Sequence, residues 1–495
     1  MKPADLLDHA ENDPALAQAD FEAQETSLRT DLLLQQFALL EKADRAVLFV
    51  IAGVDGAGKG SAIHLLNEWL DPRHVRTLAF GKPTPEEAAR PAAWRYWRGL
   101  PARGRIGVVF GSWYTPILRE AARRKPDAER LEAALGAARQ FEAQLRADGV
   151  HVVKLWFHLS RDAQRARCER LAADPETAWR VSDEDRQVAS RFGRLRKAAE
   201  HVIAHTHEPA APWRVIPSAD DNLRAVVTAT TVLQALRHPL PAPARAPKPE
   251  AQGAPRHRLV VAGREPGMGK RDYHEALAEA QARLGRAVRL PEAAKRSLVI
   301  VFEGVDAAGK GGAVRRVVRS LDVRRYDIIP IAAPNEEERA YPYLWRFWRH
   351  APTPGRAVIF DRSWYGRVLV ERVERFAAPA DWQRAYEEIN AFEAQWKDHG
   401  AIVVKFWLEI SREEQLTRFR AREQTPFKHF KITPEDWRNR GKHKAYRAAA
   451  LDMLALTDTP HAPWHVVATD DKRAARVQVL TTLADAVEAA LGESG

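Results

Sequence analysis

The segment IAGVDGAGKG at 51–60 returns as FEGVDAAGKG at 302–311, and the offset of 251 residues between them holds through most of the chain. At that offset AWRYWRGLPARGR (93–105) meets LWRFWRHAPTPGR (344–356), GSWY (111–114) meets RSWY (362–365), and FEAQ recurs at 141 and 392. KLWFHLSR (154–161) meets KFWLEISR (405–412), and APW recurs at 211 and 462. A constant offset leaves little room for insertion, so the two halves are expected to adopt one fold twice. Between them, residues 238–258 are rich in Pro and Ala and have no hydrophobic face to bury. The expected organisation is a domain over 1–237, a linker over 238–258 and a second domain over 259–495.

Each half alternates short apolar runs with helical patterns. In the second, Ser297–Phe302, Ala357–Phe360, Ala401–Trp407 and His465–Ala468 suit buried parallel strands, and Ala313–Leu321 and Asp381–His399 suit helices. This predicts an α/β fold, a three-layer α/β/α sandwich on a parallel sheet, duplicated in tandem.

The repeated glycine segment carries the chemistry. Gly304-Val305-Asp306-Ala307-Ala308-Gly309-Lys310-Gly311 follows a β-branched strand and opens a helix, the context of a phosphate-binding P-loop. Gly304, Ala308, Gly309, Gly311 and Gly312 let backbone N–H groups approach phosphate oxygens, and Lys310 adds a full charge to the helix N-terminus. The Ser or Thr that usually follows the lysine and binds magnesium is Gly311 here and Gly60 in the first copy. Asp306 in the loop and Asp361 at a strand end are then the carboxylates available to Mg2+, with Mn2+ as an alternative.

The charge balance narrows the partners without choosing one. A formal net charge of +11 over 495 residues favours polyanions. No RNA-binding motif or recognition helix is legible, so nucleic acid is not an expected partner. The single cysteine, Cys168, excludes an internal disulfide and reads as a small buried hydrophobe. No apolar run approaches membrane-spanning length, and the acidic N-terminus lacks the order of a signal peptide, so a cytoplasmic protein away from membranes is expected.

In combination, GVDAAGKGG (304–312), WRFWR (345–349), FDRSWYGR (360–367), RFRAREQTPFKHFKITPEDW (418–437), TDTPHAPW (457–464) and TDDKRAAR (469–476) resemble the polyphosphate kinase 2 family in its tandem form. The resemblance implies a thymidylate-kinase-like P-loop fold, magnesium dependence, and transfer of a phosphoryl group from inorganic polyphosphate to a nucleotide. The tandem form implies AMP as acceptor and ADP as product. It also implies that Asp306 and Asp361 position metal and acceptor, that Lys310 neutralises the transferring group, and that Arg362 and Arg367 bind phosphates. Arg418, Arg422, Lys428 and Lys431 would belong to a mobile lid over 418–437. Oligomers occur in the family, which leaves self-association open. A version acting on ADP or GDP, an ATP-dependent nucleotide kinase, and a non-catalytic polyanion-binding regulatory module stand as alternatives.

The copies are not chemically equivalent. Phe110 stands opposite Asp361, Gly111 opposite Arg362, Pro116 opposite Arg367, and Leu171 and Thr177 opposite Arg422 and Lys428. Neither a phenyl ring nor Gly or Pro can replace a carboxylate or a guanidinium at a phosphate. The first half is expected to be non-catalytic, although it keeps Gly53, Asp55, Gly58 and Lys59.

Overall fold

The computed structural model describes residues 3–181, 183–238, 259, 267–426 and 432–492. The expected linker from 239 to 258 lies outside the described residues, as do Lys428 and Lys431. The chain forms two compact units. The first comprises Met1–Pro83, Arg95–Ala244 and Asn335–Trp345, and the second Thr84–Trp94, Arg245–Pro334 and Arg346–Gly495.

Each unit is built on one parallel five-stranded sheet. In the first, β1 (Ala46–Gly53), β2 (Val75–Ala79), β3 (Ile106–Phe110), β4 (Val150–His158) and β5 (Trp213–Pro217) lie in the order β2-β3-β1-β4-β5. In the second, β6 (Leu298–Gly304), β7 (Tyr326–Pro330), β8 (Ala357–Asp361), β9 (Ile402–Glu409) and β10 (Trp464–Ala468) lie in the order β7-β8-β6-β9-β10. The duplicated α/β sandwich expected from the sequence is therefore present. In both sheets the strand before the glycine loop is central and the chain leaves it to either side. That makes the carboxyl end of the strand the switch point where such sheets bind ligands.

Burial explains which strands were legible. β4 and β9 are buried at every position, the mark of a strand covered on both faces. In the second unit Ile300, Phe302, Val404 and Phe406 pack against Tyr273, Leu277 and Leu284 of helix Lys270–Ala287 and Val479, Leu483 and Val487 of helix Lys472–Gly492. The other face carries an aromatic layer in which Trp364 meets Phe392 at 4.9 Å and Trp348 meets Phe392 at 4.9 Å between ring centroids. Trp348 and Phe347 are thus core residues. The edge strand β7 went unread because its residues are largely exposed and it ends in Pro330, which only an edge tolerates. Helix Lys310–Val317 starts on the loop lysine itself, and helix Pro379–Asp398 matches its expected span closely.

The motifs shared by both copies converge on one buried network. Lys405 on β9 is fully buried and donates to Glu393 Oε2 at 2.7 Å, to the Thr457 carbonyl at 2.8 Å and to the Tyr365 hydroxyl at 2.8 Å. Glu393 in turn accepts from Trp364 Nε1 at 3.0 Å and from the Tyr365 hydroxyl at 2.7 Å. The first copy repeats the arrangement with Lys154, Glu142, Trp113, Tyr114 and the Thr206 carbonyl. Burial lowers the pKa of Lys405 and of Lys154, and the glutamate beside each opposes the shift. GSWY, RSWY, FEAQ and the K of K-x-W therefore recur because they build this lock in either copy.

Removing one member strands a charge in an apolar interior. We expect Lys405→Met to cost about 3–5 kcal/mol in guanidinium unfolding followed by tryptophan fluorescence. Adding Glu393→Gln to it should recover at least about 1 kcal/mol, because no uncompensated charge then remains buried.

Candidate active site in the second unit

Local geometry forces the loop open at the end of β6. Gly304 has φ +140°, and a Cβ there would lie 2.5 Å from the Leu408 carbonyl oxygen on β9, so only glycine lets the chain turn off the sheet at this point. The loop then folds back, and Gly309, at φ +113°, caps helix Lys310–Val317. Gly311 faces open space, and a Cβ on Gly312 would come within 3.5 Å of Arg476. Ala308 is buried in the core beneath the loop.

β8 runs beside β6 with Asp361 in register with Phe302, which sets Asp361 and Arg362 against the loop. Arg362 N–H donates to the Phe302 carbonyl at 3.0 Å, and its guanidinium reaches Asp306 Oδ1 at 2.8 Å. Asn439 Nδ2 holds the other oxygen of Asp306 at 2.9 Å, and Gln415 Nε2 donates to the Asp306 carbonyl at 2.9 Å. Asp361 is half-buried and takes no hydrogen bond on its carboxylate from the described residues. Lys310 Nζ lies 2.5 Å from the Gly304 carbonyl, and its pKa is lowered by burial and by the Arg362 charge. Against a burial cost that alone would lower it, Asp306, Glu303 and Asp361 raise the pKa of Arg362.

The remaining expected residues separate by position. Arg367 forms an ion pair with Glu371 at 2.8 Å. Arg418 is buried and directs its guanidinium to backbone, with Nη1 2.9 Å from the Ala307 carbonyl and Nη2 on the Thr469 carbonyl, while Nε meets Glu414 at 2.8 Å. It therefore props the loop from behind. Arg422 lines a cavity of about 260 Å³ on that side, together with Arg315, Lys472, Arg476 and loop residues Ala307 to Gly309.

Sequence reasoning missed Glu303, Asn439 and Tyr446. Glu303 is buried at the end of β6, accepts from Ser363 Oγ at 2.8 Å and lines a second cavity with Asp306, Arg362, Trp407, Asn439 and Tyr446. Burial raises its pKa, with Lys310, the Ser363 hydrogen bond and Arg362 opposing. A signal was available, since the first copy has Ala52, Val188 and Leu195 at these three positions. His443 is half-buried and lines the same cavity.

The first copy surrounds its loop with different groups. Lys59 Nζ is tied to the Gly53 and Val54 carbonyls and to Asp55 Oδ1, each at 2.9 Å, so the loop neutralises its own charges. Arg224, which replaces Ala475, is buried with its guanidinium against Gly58, where a Cβ would meet it at 2.7 Å. His64, Leu171, Asp221 and Ala225 replace the basic lining Arg315, Arg422, Lys472 and Arg476.

A central parallel strand, a glycine loop opening a helix, and carboxylates with an arginine at the neighbouring strand end together define a P-loop kinase fold. The chain belongs to the polyphosphate kinase 2 family: the model of that family, Polyphosphate kinase 2 (PPK2), matches residues 15–242 and again 267–494. It is 46% identical over 492 residues to a polyphosphate:AMP phosphotransferase of Pseudomonas aeruginosa, covering 98% of this chain and 99% of the relative. An ADP-polyphosphate phosphotransferase of Rhizobium meliloti is 36% identical but covers 44% of this chain and 71% of itself. A solved polyphosphate kinase 2 from Pseudomonas aeruginosa superimposes with a TM-score of 0.88 at 43% identity, covering 98% of this chain and 99% of that one.

Two outcomes test this geometry. Arg362 sits at φ +64°, where glycine is at ease and an L-residue costs about 1–2 kcal/mol. Arg362→Gly should therefore be more stable than Arg362→Ala by about 1 kcal/mol in chemical denaturation, while both lose activity. Because burial raises the pKa of Glu303, the fold binds its proton more tightly than the unfolded chain does. The stability this gives is full below the ordinary glutamate pKa and is lost as pH rises through the raised value. Glu303→Gln should then exceed the wild type in stability at pH 8, with the difference vanishing towards pH 4, when unfolding is followed in a chelator.

Proposed function

We propose that this chain transfers a phosphoryl group from inorganic polyphosphate to AMP, giving ADP, and that the second unit performs the reaction. The observation that carries the reading is the divergence of the two glycine loops. Around the second stand Glu303, Asp306, Lys310, Asp361 and Arg362, and around the first only the self-neutralised Asp55 and Lys59 remain. The choice of AMP rests on coverage, since the relative named for AMP matches both copies at nearly full length, whereas the one named for ADP spans under half of the chain.

In this reading the polyphosphate terminus lies on the loop with its tail along the basic cavity of Arg315, Arg422, Lys472 and Arg476. AMP occupies the cavity bounded by Glu303, Trp407 and Tyr446. An oxygen of the AMP phosphate attacks the terminal phosphorus in line as the bond to the bridging oxygen breaks, leaving ADP and a chain one phosphate shorter. That phosphate is largely ionised at neutral pH, so no base has to remove a proton. Lys310 and Arg362 carry the charge that spreads over the transferring group, and Arg367 serves the phosphates only if it leaves Glu371. Arg418 positions the loop. The unpartnered Asp361 carboxylate, with Asp306 nearby, is a hard-oxygen donor set that fits Mg2+ or Mn2+, which when bound would offset phosphate charge. Residues 1–237 act as a non-catalytic scaffold for the catalytic unit of 259–495, and the chain works in the cytoplasm. No helix among the described residues is long and apolar enough to cross a membrane.

The test is ADP formation from AMP, long-chain polyphosphate and magnesium. Asp361→Asn should lower the rate by about 100-fold or more, and Lys59→Ala should leave it unchanged. Activity with ADP or GDP and none with AMP would replace the acceptor. Turnover with ATP in the absence of polyphosphate would replace the donor.

A further inference from the structure

The first unit carries a side-chain cluster that the phosphoryl-transfer reading leaves unused. His201 and His205 lie one turn apart on helix Asp183–Thr206, and Glu132 faces them from helix Ala128–Ala147. One donor atom from each lies within 4.8 Å of the others. Glu132 Oε1 is 3.5 Å from His201 Nε2, and the two imidazole centroids are 4.0 Å apart.

The protonation pattern favours a metal over a simple ion pair. His205 Nδ1 lies 2.8 Å from the His201 carbonyl oxygen. A carbonyl only accepts, so Nδ1 carries the proton and Nε2 presents its lone pair outward, the arrangement that metal-bound histidines adopt. His201 Nε2 is shielded from water and has no hydrogen-bond partner, and a buried polar atom left in that state calls for a ligand. One turn beyond Glu132 the helix has Gly136, where a Cβ would meet only Arg139 Nη2, at 4.0 Å. Arg139 spends its Nη1 on the His205 carbonyl at 2.7 Å, so that cation is anchored on backbone.

We propose that Glu132, His201 and His205 bind a divalent transition-metal ion of the zinc class, with water completing the shell. An ion about 2 Å from each donor brings donors to within about 4 Å of one another, so small rotamer changes suffice. Two imidazoles select zinc, cobalt or nickel over the oxygen-seeking Mg2+ of the reaction. The site belongs to the first copy alone, because the second has Gln383, Asp452 and Leu456 at the matching positions and Asp452 is paired with Arg372 at 2.7 Å. Bound metal would clamp helix Ala128–Ala147 to helix Asp183–Thr206 and give the non-catalytic copy a metal-dependent rigidity.

The test uses the full chain, stripped with a chelator and titrated with Zn2+ and, separately, Co2+ in excess Mg2+. The wild type should bind one more equivalent of Zn2+ than the His201→Ala/His205→Ala double variant and show the visible absorption of low-coordinate Co2+. Glu132→Gln should weaken that equivalent by about tenfold or more. Zinc should also raise the unfolding midpoint of the wild type and not of the double variant, while the two unfold alike in chelator. Equal zinc stoichiometry in wild type and double variant, or no zinc uptake at micromolar concentration, overturns the site. Phosphotransferase activity enters none of these readouts, so the site and the proposed reaction stand or fall separately.

Discussion

Everything in each unit hangs on a buried lysine. Lys405 on β9 and Lys154 on β4 are fully buried beside the central strand of their sheets, and each binds a glutamate from a packed helix, the hydroxyl of a tyrosine and a helix-terminal carbonyl. Such a pair adds little net stability, since desolvation offsets the attraction. What it supplies is position. Tyr365 and Trp364 are fixed by it, and only Ser363 separates them from Asp361 and Arg362, so the turn that aims the site residues is fastened to the interior of the fold.

Upon this common frame the copies have parted along one line, the placing of charge against backbone ease. The second unit keeps an arginine in a left-handed turn and an acidic side chain buried at a strand end, both unfavourable by themselves. The first has Gly111 and Ala52 there and is locally relaxed. Strain concentrated where one copy has charged groups and the other has none is the expected signature of residues kept for chemistry.

The duplication, the α/β sandwich and the loop were legible because they depend on period, spacing and glycine, which a sequence displays directly. Asp306, Lys310 and Asp361 were read from the loop and the strand end, Arg362 came from the family resemblance, and the structure brings Arg362 and Asp306 together. Arg418 looked like one more cation in a basic stretch, and only the fold reveals that the loop's carbonyls consume its donors. Glu303 was hidden inside an apolar strand, where a lone carboxylate reads as noise until burial and Ser363 give it a context. Asn439 lies two residues beyond the expected lid and touches Asp306 through a contact spanning 133 positions, which no local pattern encodes.

A side chain grafted onto Gly111 would start 2.0 Å from the Phe80 carbonyl oxygen, because the neighbouring chain fills the space that a Cβ would need. Building the second unit's site here would require that chain to retreat, an arginine at Gly111, an acidic residue at Phe110 and the withdrawal of Arg224 from the loop. A lone substitution at Gly111 would therefore clash before it contributed any charge, so the charge arrangement of the second unit can be reproduced in the first only by several coordinated changes.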